Sequence, residues 1–249
     1  MKTILLILLL SLGAVRAHDH VEVGVDPRDA HRLGLDGPAY QLALYVPRGE
    51  PFSGYLPDFP GGWHACELTF TTETNALDPA AGAEPQMEIV SVTGPSGGSF
   101  AFWEVGAAAP TWILPVGWTG TAATFPVNFQ GDTHAHGRAF TMDKPGTYTV
   151  RFRAMDDTDA FAASADMTVV FHAQQPPALS IGAAGGQVSL AFTSRVNLVY
   201  DLQVCTELAS GEWTNVEDNT FIDGDGGPIE LTDPVDGRPR AFYRLVEYR

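Results

Sequence analysis

Lys144-Pro145-Gly146-Thr147-Tyr148-Thr149-Val150-Arg151-Phe152-Arg153-Ala154 is the stretch whose reading decides the fold. Pro145 presets φ for the first inner position of a tight turn, and Gly146 accepts positive φ at the next. Beyond the turn, Tyr148, Val150, Phe152 and Ala154 alternate with Thr147, Thr149, Arg151 and Arg153. Successive strand residues face opposite ways, so one face is apolar and the other polar. That is an antiparallel strand with one buried side.

The rest of the chain has the same character. Helical periodicity is almost absent, and glycine and proline punctuate short runs that alternate or are β-branched. Strands are expected at His20–Val25, Tyr40–Val46, Cys66–Thr71, Gln86–Val92, Phe100–Glu104, Thr147–Arg153 and Met167–Phe171. Pro60-Gly61-Gly62 and Gly94-Pro95-Ser96-Gly97-Gly98 are turn signals between them. The pattern predicts an all-β fold, an antiparallel β-sandwich of immunoglobulin-like or jelly-roll-like kind.

At Gln174-Gln175-Pro176-Pro177 the pattern breaks, because a Pro-Pro pair after a completed strand makes a stiff extended linker. Further strands follow at Leu179–Ile181, Gln187–Thr193, Val199–Val204, Ile229–Thr232 and Phe242–Glu247. The expected organisation is a histidine-bearing sandwich over residues 18–173, a linker at 174–178 and a small C-terminal sandwich over 179–249. The smaller unit is near the lower size limit for independent folding and should lean on its neighbour. Residues 49–62 and 106–130 read as ordered loops rich in proline and aromatics; Trp112, Trp118, Phe125 and Phe129 in the second are expected to pin it to the core, with the lining of a ligand surface as the alternative. Asp223-Gly224-Asp225-Gly226-Gly227 reads as an Asp-Gly turn in preference to a calcium site, since it lacks the ordered ligands of a twelve-residue calcium loop.

Residues 1–17 read as a secretory signal peptide. Lys2 supplies the positive end, Ile4 to Leu12 the apolar core, and Val15-Arg16-Ala17 the small-residue cleavage site. That apolar run is shorter than the ~20 residues that cross a bilayer. No later stretch is apolar enough for a membrane helix, and Ala241–Arg249 carries no sorting or lipid-anchor signal. The expected product is exported and extracellular, at the cell surface or periplasmic, and begins at His18. The chain carries a net charge of −16; removing Lys2 and Arg16 leaves 12 basic residues against 30 acidic ones, a net −18. Such a charge repels phosphate backbones and anionic lipid, which argues against nucleic acid and membrane surfaces as partners. Only two cysteines occur, Cys66 and Cys205. A disulfide joining the two units and two buried free thiols are both open readings.

Five of the seven histidines fall in tight relations: His18-Asp19-His20, His64, and His134-Ala135-His136. In a strand, residues i and i+2 point the same way ~6.5 Å apart. Two imidazoles at that spacing can converge on one ion, with nitrogen–metal bonds of ~2.0–2.1 Å. Two such pairs brought together supply four nitrogens, a donor set suited to zinc or copper. His18, His20, His64, His134 and His136 are therefore the candidate metal ligands, with Asp19, Glu67 or Asp132 as carboxylates that could orient a ring. His31 and His172 stand alone. Cys66, two residues after His64, is a further conceivable ligand. An N-terminal His18 would also offer its α-amino group beside its ring, giving with a second histidine a three-nitrogen copper site that resembles the histidine brace of lytic polysaccharide monooxygenases.

Thr133 to Ala154, T-H-A-H-G-R-A-F-T-M-D-K-P-G-T-Y-T-V-R-F-R-A, resembles the signature repeat of bacterial surface-anchored proteins with the choice-of-anchor M domain. The opening H-D-H-V-E-V-G-V, His18 to Val25, is similar to that family's N-terminal strand, and Ile89 to Glu104 resembles its centre with less specificity. The similarity spans most of residues 18–173. It implies a β-sandwich exposed outside the cell, with some relatives found beside metal-ion transport systems. His18, His20, His134 and His136 fall on the family's recurrent histidine positions, and it defines no catalytic residues to carry over. The family's wall anchor has no counterpart in this sequence. The tail from Leu179 resembles a fibronectin type III-like module, on Val199 to Gln203, Trp213 and Ala241 to Leu245.

No Gly-x-Ser-x-Gly elbow, His-Glu-x-x-His or phosphate-cradling glycine loop is present. The function expected is thus non-enzymatic binding of a transition metal ion through the two His-x-His pairs. Two other readings stand beside it. One is a structural or adhesive surface module that meets a cell-surface protein or a glycan without metal; the other is a copper oxidase with an N-terminal histidine brace.

Overall fold

The computed structural model describes residues 19–52, 56–72, 84–128, 130–234 and 237–249. The signal segment, His18 and Phe129 lie outside the described residues. Among those residues every regular element is a strand. The first six are β1 (Asp19–Asp26), β2 (Asp29–Asp36), β3 (Tyr40–Val46), β4 (Trp63–Thr71), β5 (Pro85–Thr93) and β6 (Ser99–Trp103). Then come β7 (Trp112–Pro115), β8 (Thr124–Pro126), β9 (Ala139–Met142), β10 (Gly146–Asp156) and β11 (Met167–Ala173).

These eleven strands form one hydrogen-bonded sheet in the order β7-β6-β9-β4-β3-β11-β10-β5-β8, with β1 on β4 and β2 on β1. Strand β3 makes the sheet into a sandwich by serving two layers. Its first half pairs parallel with β11, Tyr40 opposite Val170; its second half pairs antiparallel with β4, Leu44 opposite Ala65. Strand β4 then changes partner in turn. Beyond Ala65 it loses β3 and gains β1, which runs parallel to it with His20 opposite Thr69.

Between the layers lies an aromatic core. Phe70, Phe100, Phe102, Phe125, Phe140, Phe152 and Phe171 are all buried and belong to one cluster. The rings in contact have centroids between 4.4 Å (Phe102 and Phe125) and 6.3 Å (Phe152 and Phe171) apart. Fully burying each such ring contributes ~1.5–3 kcal/mol relative to leaving it in water. In β10 the alternation works as the sequence implies: Tyr148, Val150, Phe152 and Ala154 have no exposure, while Thr147 and Arg151 are exposed. Gly146 opens the strand at φ 131°, and a Cβ there would meet Pro95 Cγ at 2.7 Å, which reserves the position for glycine.

The segment 106–130 is more than a loop, since it contributes β7 and β8. Phe125 is buried in the core, and Trp112 and Trp118 pack against it. These strands escape a period-two reading because they are three or four residues long. Strand β9 escapes it for another reason: all four of its residues are buried, so no alternation remains.

The remaining strands are β12 (Ser180–Ala184), β13 (Gln187–Thr193), β14 (Val199–Cys205), β15 (Thr214–Asn215), β16 (Ile222–Asp223), β17 (Pro228–Pro234) and β18 (Phe242–Tyr248). They pair only with one another, as β12-β13-β17 and as β14 with β15, β16 and β18. Their core, built on Leu190, Phe192, Tyr200 and Leu202, is closed by Leu42 and Leu44 of β3. Arg244 completes the joint, donating to Glu50 at 2.5 Å and to the Arg48 carbonyl at 2.9 Å. Cys66 and Cys205 are both buried free thiols, and burial pushes the Cys66 thiol far above its ordinary value.

Asp156, at the end of β10, organises the turn that follows. Its carboxylate accepts from Thr158 Oγ1 at 2.8 Å, from the backbone N–H of Thr158 (3.1 Å), Ala160 (2.9 Å) and Phe161 (3.1 Å), and from Glu84 N–H (3.2 Å). Burial alone would raise this carboxyl, but the donors from Thr158, Phe161 and Glu84 together outweigh it and hold it below the ordinary range. A depressed carboxylate contributes stability that is complete above its unfolded value of ~3.9 and is lost as pH falls through the folded one. Asp156→Asn is expected to cost about 2–3 kcal/mol in urea denaturation at pH 7, because hydrogen bonds to a charged group each contribute ~1.5–3 kcal/mol. It should also flatten the loss of stability below pH 4.

Candidate functional site

His20 of the first His-x-His pair comes together with His134 and His136 of the second beside β4. Strand β1 borders the second half of β4 on one side, Asp19–Glu22 against Leu68–Thr71. The segment leading into β9 borders it on the other, since Thr72 N–H donates to the Thr133 carbonyl at 3.2 Å. Val21 and Val23 point into the core, so by alternation His20 and Glu22 rise from the outer face of β1. Leu68 and Phe70 point into the core as well, which leaves Glu67, Thr69 and Thr71 on the same outer face.

Across this face the His20 and His134 rings meet edge to face, with centroids 4.4 Å apart and Nε2 to Nε2 at 3.0 Å. His136 stacks on His134 with centroids also 4.4 Å apart. Two imidazole nitrogens can sit so close in two ways. One N–H donates to the other's lone pair, or both lone pairs face a single cation. The donor set is the kind that zinc and copper favour. On the same face of β4, Thr69, the register partner of His20, is fully buried and its hydroxyl has no hydrogen-bond partner. An orphaned hydroxyl on the face where imidazoles converge fits a site built to hold something more than its own side chains.

The segment that carries His134 and His136 is fixed at both ends. Thr71 Oγ1 donates to the Thr133 carbonyl at 2.8 Å, Asp132 accepts from His134 N–H at 2.9 Å, and Glu67 accepts from Gly137 N–H at 2.8 Å. Arg138 follows immediately and is fully buried. Its Nε and Nη2 donate to both oxygens of Glu104, at 2.7 and 3.1 Å, and its Nη1 donates to the Val127 carbonyl at 2.9 Å. Of the carboxylates expected near the histidines, Glu67 and Asp132 thus hold backbone. Asp19 accepts from Gln41 Nε2 at 2.9 Å. Glu22, two residues beyond His20 on the same face, was not singled out in the sequence, although strand alternation places it there. The Arg138–Glu104 pair was not, since nothing local links residues 34 positions apart.

His64 is not brought to this group. It stands five residues before Thr69 on β4, ~17 Å along the strand. It is buried among other neighbours, with its ring tilted against Tyr45 at 5.2 Å and its Nδ1 unpartnered. His18 lies outside the described residues. Among the described residues, no group of three or more His, Cys, Asp or Glu side chains is arranged to hold a metal ion, so the observed convergence is of two ring nitrogens with a third ring stacked behind.

Burial pushes the His64 imidazole below its ordinary value, against the opposing pull of the Gln174 carbonyl and Asp143. A histidine buried in its neutral form protonates more readily when unfolded. Its contribution is therefore complete above ~6.5 and is lost as pH falls from there toward the lowered folded value. The urea midpoint of the wild type is expected to drop between pH 7.5 and 5.5, and His64→Gln should shrink that drop. An equal drop in both proteins would assign it to other groups.

A cavity of about 1010 Å³ lies between the two units, lined among others by Gln41, Leu44, Cys66, Asp201 and Glu247. No helix among the described residues is long and apolar enough to cross a membrane. In comparison with known proteins, the chain matches no family model and no curated protein.

Proposed function

We propose that this protein is an exported, non-enzymatic β-sandwich that binds a transition metal ion, zinc or copper, through His20, His134 and His136. The observation that carries the reading is the 3.0 Å approach of His20 Nε2 to His134 Nε2, contributed by segments 114 residues apart in sequence. Nitrogens at that separation can each bond one ion at ~2.0–2.1 Å. Both sit on a rigid support: β1 is paired to β4, and the 133–138 segment is tied by Thr71, Glu67 and Glu104. The net charge of −16 favours cations near the surface.

In this reading His18, two residues before His20 in sequence, supplies a further donor once the signal segment is removed. Bound there, the ion ties β1 to the segment entering β9 and serves as a structural clip or as captured cargo. The test is metal analysis of the secreted, mature protein together with calorimetric titration by zinc and by copper(II) at neutral pH. About one ion per chain is expected. Failure to retain or to titrate either metal would sink the reading and leave a structural or adhesive module.

A further inference from the structure

We infer that the His20–His134 site is built to admit one small exogenous ligand, a water or a monovalent anion, and that the Thr69 hydroxyl is the group that receives it. The inference rests on the metal-binding reading above and extends it to what else the site takes.

The argument begins with position. Thr69 lies on β4 between the two segments that bear the histidines: β1 on one side, with His20 as its direct register partner, and residues 133–137 on the other. It shares the outer face with Thr71 and Glu67, its neighbours at i±2. Both neighbours are spent on the overlying segment, Thr71 on the Thr133 carbonyl and Glu67 on the Gly137 N–H. The segment therefore crosses β4 at Thr69, so that the threonine stands on the face that carries His20, its register partner, and between the strand and the segment that carries His134.

The second part is chemical. Thr69 has no exposure to solvent, and its Oγ1 has no hydrogen-bond partner. A hydroxyl removed from water without a partner is costly, and a valine would fill nearly the same volume without that cost. The hydroxyl is explained when a small group that can both give and take a hydrogen bond reaches it from the face that carries the rings. Water fits that description. So does a small anion such as azide, toward which the hydroxyl donates. A large organic ligand does not, because the buried threonine leaves it no room.

The experiment uses the mature, copper(II)-loaded protein and azide as the probe, followed by its charge-transfer absorption and by electron paramagnetic resonance. Thr69→Val is expected to keep about one copper per chain while binding azide roughly tenfold more weakly, the loss of one hydrogen bond to a charged group. Thr69→Ser should restore the wild-type affinity. In the metal-free protein Thr69→Val should leave the thermal midpoint unchanged or raise it, which separates the effect from general damage. Wild-type azide binding in copper-loaded Thr69→Val overturns this inference and leaves the metal site standing. A wild type that binds no copper overturns both.

Discussion

Replacing His20 and His134 together by alanine is expected to abolish stoichiometric metal while the protein stays folded. Both rings are only partly buried on an outer face, away from the aromatic core, and substitutions at such positions usually change stability by no more than ~0.5 kcal/mol. The two residues nevertheless contribute the facing nitrogens of the site. A ligand that binds only the folded state stabilises it by mass action, ~2.7 kcal/mol at one hundred times the dissociation constant. For a chain of this size that is a rise in Tm of about 5–10 °C on adding metal. The wild type should show this rise and the double variant should not. Single variants divide the effect: His136→Ala tests whether the stacked third ring is a ligand or a support, and His18→Ala tests whether the residue preceding β1 takes part. A metal-dependent rise that survives in the double variant would move the site elsewhere on the molecule.

The second large effect is expected at Glu104. Its carboxylate forms an ion pair with Arg138, whose side chain has no solvent exposure. Removing one partner of a buried pair strands the other, at about 3–5 kcal/mol. Glu104→Ala should therefore lower the thermal midpoint by ~6–20 °C, at ~2–4 °C per kcal/mol. The reverse change, Arg138→Ala, leaves a carboxylate with 20% of its side chain exposed and able to find water, so it should cost less for the charge. Replacing both at once by Glu104→Leu and Arg138→Met should recover much of the loss, since apolar pairs often substitute for buried ion pairs without penalty. Arg138 lies two residues after His136, and so Glu104→Ala should also weaken metal binding. An intact midpoint in Glu104→Ala would mean that Arg138 is held by other partners.

Much of the fold was legible because it depends on a local signal. The Pro-Gly turn and the alternation from Thr147 to Ala154 define β10, and the same reasoning outlines β1, β3, β5, β13 and β14. Where burial is two-sided the signal vanishes, as in the four buried residues of β9; where a strand is too short, as in β7 and β8, it never forms. For the site, the two His-x-His spacings marked His20, His134 and His136 as residues that could converge. His64, outside both pairs, stood beside them as a further candidate. Only the register of β4, which puts Thr69 and not His64 opposite His20, separates them.

The sequence by itself determined the class of fold, the turns that punctuate it and the residue types available for a metal, because these follow from side-chain alternation and backbone preference over a few neighbours. Which histidines meet, which threonine is paired with His20 and which buried ion pair follows His136 were decided by tertiary structure alone. Those relations depend on β3 and β4 exchanging partners between the two layers, and pairing across more than a hundred residues leaves no periodic trace in the chain.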